Sequence, residues 1–169
     1  MRSGDMKLIA ALIAAFAVVL TDASAARDHL PALRVAHDGL TARASLGTYC
    51  TTPPAGRPGF AGCADYRYPL RLRAGLPVRA GGTLVLRTRF TARSLAASLL
   101  SVEGRNITSV GEHLVVRRTA ARRWAVELPA ELGGANVLNV SMTWRNARDG
   151  RGDANFWTGI RPDCAQPAP

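Results

Sequence analysis

Residues 137–145 set the terms for the rest of the chain. Leu138, Val140, Met142 and Trp144 alternate with Asn139, Ser141, Thr143 and Arg145. Only an extended backbone, whose side chains point to opposite faces in turn, brings those four apolar groups onto one side. A strand with one dry and one wet face must pair with others of the same kind, and the chain supplies them. Leu33, Val35 and His37 alternate with Arg34 and Ala36, Asp38-Gly39 follows, and Leu40, Ala42, Ala44 and Leu46 resume the pattern. Asp-Gly between two alternating runs is the signature of a tight hairpin. Leu70 and Leu72 alternate with Arg71 and Arg73 just after Pro69, a residue confined to strand starts and edges. Leu84, Leu86 and Phe90 oppose Val85, Arg87 and Arg89, and Phe156 and Ile160 oppose Asn155 and Trp157.

Residues 94–102 fit two periods, because Leu95, Leu99 and Val102 also suit a helix face; the strands on either side decide for a strand. The sum is about eight or nine short strands, separated by Gly and Pro turns at intervals of roughly 8 to 12 residues. That pattern predicts an all-β chain folded as an antiparallel two-sheet sandwich, immunoglobulin-like within that class, with a partly open β-barrel as the alternative.

Cys50 and Cys63 bracket a segment rich in Pro and Gly. They are expected to form a disulfide that closes this small loop, removing denatured-state freedom worth roughly 3 kcal/mol. The third cysteine, Cys164, sits in a Pro-rich tail and is left as a free thiol, an intermolecular link or a competitor for the other two. One bridge suits an oxidising compartment, and the start of the chain agrees. Residues 8–20 form an apolar run after Met6-Lys7, and Ala23-Ser24-Ala25 offers a small-x-small cleavage site. A signal peptide over 1–25 is therefore expected, with Met1 or Met6 as the start. A flexible leader over 26–32, one sandwich domain over 33–161 and a flexible tail over 162–169 follow, and the product is secreted or periplasmic. An apolar run of this length is short for a bilayer span, and no second one follows.

The 169 residues carry 22 Lys and Arg against 12 Asp and Glu, a net charge of +10. Removing residues 1–25 takes away Arg2, Lys7, Asp5 and Asp22 and leaves that balance unchanged. Lys7 is the only lysine, so part of the arginine content reads as the coding bias of a GC-rich bacterial genome. The excess over acid does not, and it points to an anionic partner. Arg117, Arg118, Arg122 and Arg123 lie between two strand-like runs and are expected to crowd one hairpin tip, where guanidinium forks suit phosphate and carboxylate. Aromatic side chains are sparse around them, which argues against nucleic acid and for an anionic envelope polymer or glycan. Trp157, facing away from Phe156, is a second candidate, as a surface on which a ligand ring stacks. Arg151-Gly152-Asp153 matches an adhesion tripeptide on a hairpin loop, a match that chance readily produces in a chain so rich in Arg and Gly.

Catalytic signals are absent. His29, His37 and His113 have no second ligand at metal-binding spacing. No Gly-x-Ser-x-Gly turn occurs, and the few carboxylates suggest no pair for glycoside chemistry. No cofactor or metal is expected. Gly47-Thr48-Tyr49-Cys50, Cys63-Ala64-Asp65-Tyr66, Tyr68-Pro69, Trp124-x-Val126-x-Leu128-Pro129, Gly134-Ala135-Asn136 and Phe156-Trp157-x-Gly159-Ile160 together resemble a group of small secreted bacterial proteins of unknown function, over residues 45–161. The resemblance implies one exported domain and transfers no site. The expected function is a non-enzymatic binding or structural module at the cell envelope that recognises an anionic polymer. A protein-partner or purely structural module is the alternative, and a hydrolase ranks third.

Overall fold

Alternating apolar and polar side chains leave the backbone little choice but to pair strands laterally and to stack the dry faces. The computed structural model describes residues 30–57, 59, 61–65, 75–104 and 106–163. The expected signal segment, His29, the expected strand at 70–73 with Arg71 and Arg73, and Cys164 lie outside the described residues. Among the described ones, the strands are β1 (Leu33–His37), β2 (Leu40–Arg43), β3 (Ser45–Thr52), β4 (Gly62–Ala64), β5 (Leu76–Val78) and β6 (Thr83–Thr88). They continue as β7 (Ser94–Glu103), β8 (Asn106–His113), β9 (Val116–Ala120), β10 (Arg123–Glu127), β11 (Val137–Asn146) and β12 (Gly150–Pro162). All lie in the compact unit Pro31–Pro169.

They form two antiparallel sheets, as the alternation predicts, one of them curled into a half-barrel. The first runs β2-β1-β6-β10-β9 and the second β4-β3-β12-β11-β7-β8. β5 adds a short parallel pairing to the end of β12, where Ile160 faces Leu76. Leu33, Val35, Leu84, Leu86 and Val126 of the first sheet and Leu138, Val140, Met142, Trp144 and Phe156 of the second are buried. Phe90 closes one end of this core against Trp144, with ring centroids 5.1 Å apart.

Departures from the predicted elements, and one ambiguity that the structure resolves, have physical causes. The alternation from Leu40 to Leu46 is not one strand. It breaks at Ala44, whose N–H donates to the carbonyl of Leu33, so the chain leaves the first sheet through β2 and enters the second as β3. β8 has no counterpart in the sequence reading, because its described side chains are exposed on both faces and no period of two marks it. β7 is a strand, and its helical ambiguity is explained by burial on both sides. Leu95, Ala97 and Leu99 enter the main core, while Leu100 and Val102 join Val137 in a smaller outer cluster. At the other end of the chain, β12 runs to Pro162 and the N–H of Asp163 donates to Val78 O.

Candidate functional site

The residues of the expected hairpin tip do not stay together. β9 and β10 do form a hairpin, but its turn is only Ala121 and Arg122, and Arg117 and Arg118 lie in the strand before it. Successive strand residues face opposite ways, and these two do. Arg117 pairs in register with Ala125 and reaches the Glu127 carboxylate at 3.4 Å. Arg118 lies over the indole of Trp124, 5.7 Å from the ring centroid, and donates to the carbonyls of Ala120 and Ala121. It closes the open edge of the core rather than offering a free charge. Arg122 turns toward Thr91, its Nε 3.5 Å from the hydroxyl. Arg123 points off the outer face of the first sheet, opposite Trp124.

Arg123 finds different company there. It stands directly across from Arg87 of β6, Arg87 stands across from Arg34 of β1, and Arg34 across from Arg43 of β2. Four arginines from four strands thus make one row at right angles to the strands. At a strand spacing of about 4.8 Å the row spans roughly 14 Å. All four are exposed, and among the described residues no hydrogen bond or ion pair engages any of the four guanidinium groups. Like charges directly opposite one another oppose sheet formation, and each neighbouring pair repels by less than about 1 kcal/mol in water. The core beneath supplies the compensation: Leu33, Val35, Leu84, Leu86 and Val126 are buried to the last atom.

Beside the arginine row runs a second row of small side chains, Thr41, Ala36, Val85 and Ala125, ending in Arg117. Ala36, Val85 and Ala125 are half-buried. The outer face of the first sheet is therefore a shallow apolar track bordered by a rail of cations. No aromatic ring lies in either row.

The other candidates fall elsewhere. Cys50 and Cys63 stand directly opposite each other across β3 and β4, with their sulfur atoms 2.02 Å apart, so the expected bridge is present; the segment it closes ends as an edge strand and not merely as a loop. Trp157 is half-buried over Gly47, against the outer cluster of Leu100, Val102 and Val137. Its ring therefore covers apolar surface. His37 is buried, with Nδ1 donating to Thr83 O at 3.1 Å and Nε2 accepting from the N–H of Arg79 at 3.0 Å; it ties β1 to the 79–83 turn. His113 is exposed on β8. Among the described residues no group of three or more His, Cys, Asp or Glu side chains could hold a metal ion. No protein-family model, curated protein or solved structure matches this chain.

Proposed function

We propose that this chain is an exported, non-enzymatic binding module of the cell envelope, and that the outer face of its five-stranded sheet holds an anionic polymer. The observation that carries this reading is the row Arg43, Arg34, Arg87, Arg123. Four unpaired cations at regular spacing offer bidentate donors to successive phosphates or carboxylates, and a bound polyanion relieves their mutual repulsion. The small residues alongside leave room for a polymer backbone to lie flat. Without an aromatic platform the surface lacks what single-stranded nucleic acids stack on, which favours an envelope polymer or an acidic glycan. Export is supported by the apolar start followed by Ala23-Ser24-Ala25 and by the Cys50–Cys63 pair at bonding distance. Among the described residues no helix is long and apolar enough to cross a membrane.

The test is binding of the exported, oxidised protein to teichoic acid, lipopolysaccharide, heparin and DNA at physiological salt. The Arg34→Gln, Arg87→Gln double variant is compared with an Arg118→Gln, Arg122→Gln control from the hairpin, whose side chains turn to Trp124 and Thr91 and away from the row. Retention of one polymer by the native protein and the control, with at least about tenfold weaker binding by the row variant, is expected. Equal loss in both variants, or binding of every polymer only at low salt, overturns the reading and leaves the arginines as background charge.

A further inference from the structure

The second sheet carries a different concentration of unpaired charge, and this one is concave. On its outer face two rungs run side by side. Arg145 of β11 stands directly across from Arg151 of β12, which stands across from Thr52 of β3. In the next rung Thr143 faces Asp153, and Asp153 faces Cys50, which carries Cys63 beside it. Arg93 enters from the loop before β7, held there by its backbone N–H donating to Thr143 O at 2.8 Å. These groups line a cleft of about 440 Å³, within the range of small-ligand sites. A neighbouring hollow of about 570 Å³, edged by Pro53, Ala55 and Ala147, shares Thr52, Arg145 and Arg151 with it.

Three features distinguish this cleft from an ordinary solvated patch. Among the described residues no hydrogen bond or ion pair engages the side chains of Arg93, Arg145, Arg151 or Asp153. Its floor is closely packed: Gly152 lies so close to Cys50 O and to the Trp144 ring that it has no room for a side chain, and the disulfide fastens β4 along β3. Its charge is also mixed. Three guanidinium groups call for an oxyanion, while a carboxylate in the next rung repels a bare anion and calls for a hydrogen-bond donor next to it. The adjoining hollow, with its proline and alanines, suits the carbon face of a ring.

We propose that this cleft binds an anionic saccharide unit, a sugar bearing a phosphate or carboxylate. Arg93, Arg145 and Arg151 hold the oxyanion, and Asp153 accepts from the sugar hydroxyls. The adhesion-like tripeptide takes part as a fixed portion of this floor: Arg151, Gly152 and Asp153 are paired on both sides within β12 and do not form a protruding loop. The site lies on the other sheet from the arginine row and stands or falls independently of it.

The experiment is an amide-resolved NMR titration of the exported protein, disulfide intact, at physiological salt, with glucose 6-phosphate, glucuronate, glucose and inorganic phosphate. Saturable shifts are expected at residues 51–52, 62–63, 143–145 and 151–153 with one or both anionic sugars, binding at least about tenfold tighter than inorganic phosphate or glucose. An Arg145→Gln, Arg151→Gln variant weakens binding by about tenfold or more. Asp153→Asn removes the preference for the sugar over inorganic phosphate, and the Arg34→Gln, Arg87→Gln variant binds as the native protein does. Equal affinity for inorganic phosphate and the anionic sugars reduces the site to simple anion attraction and overturns the proposal, as do shifts confined to the first sheet or no saturable shifts.

Discussion

At the scale of single residues, close approach and charge give opposite expectations for substitution. A Cβ at Gly152 would collide with the carbonyl of Cys50 and with the Trp144 ring, whose Cη2 would lie 2.8 Å from it. Both obstacles are fixed, one being backbone and the other a core side chain 2% exposed. Gly152→Ala is therefore expected to destabilise by about 1 to 3 kcal/mol, the usual cost of overpacking, measured as a lower urea midpoint at unchanged m-value. Arg34→Gln and Arg87→Gln remove exposed like charges without disturbing packing. Their stability is expected to stay within about 0.5 kcal/mol of the native protein, so any loss of polymer binding in them reports on contact and not on unfolding.

At the scale of elements, the Cys50–Cys63 bridge serves an edge. β4 is three residues long and among the described residues pairs only with β3, so its hydrogen bonds alone hold it weakly. Replacing both cysteines by serine is expected to lower stability by roughly 2 to 3 kcal/mol and to speed amide exchange at residues 62–64 before that of the central β11–β12 pair. A uniform rise in exchange across both sheets would show instead that the bridge holds the whole fold. The hairpin of β9 and β10 illustrates how an element redistributes charge. Four arginines close in sequence separate because strand residues alternate in direction and the turn is only two residues long. Proximity in sequence gave a correct account of the hairpin and a misleading one of its charge.

For the whole molecule, the net charge of +10 guarantees some attraction to any polyanion, and the question is whether the attraction is local. Counterion release makes the logarithm of affinity fall linearly with the logarithm of salt concentration, by roughly 0.7 to 0.9 per phosphate contact on nucleic acids. If the row is the contact, the Arg34→Gln, Arg87→Gln variant loses about 1.4 to 1.8 of that slope while Arg118→Gln, Arg122→Gln loses little; equal losses would mean diffuse attraction. Much of the architecture was legible in the chain itself. The period of two in β1, β6, β11 and β12, the Asp38-Gly39 turn and the Cys50–Cys63 spacing are local signals, and local sterics act on them directly. β8 was illegible because a strand exposed on both faces has no hydrophobic pattern. The arginine row and the cleft of the second sheet were hidden for another reason. Arg43, Arg34, Arg87 and Arg123 look unrelated along the chain and become neighbours only through strand register, and Cys50 and the loop residue Arg93 likewise come beside Arg145 and Arg151 only in the folded chain. By itself the sequence determined that each segment would be extended and which side of it would be dry, since both follow from alternation within a few residues. Tertiary structure alone decided which strands lie side by side, and so which charges share a face, because register is set by long-range burial of the two dry faces against each other.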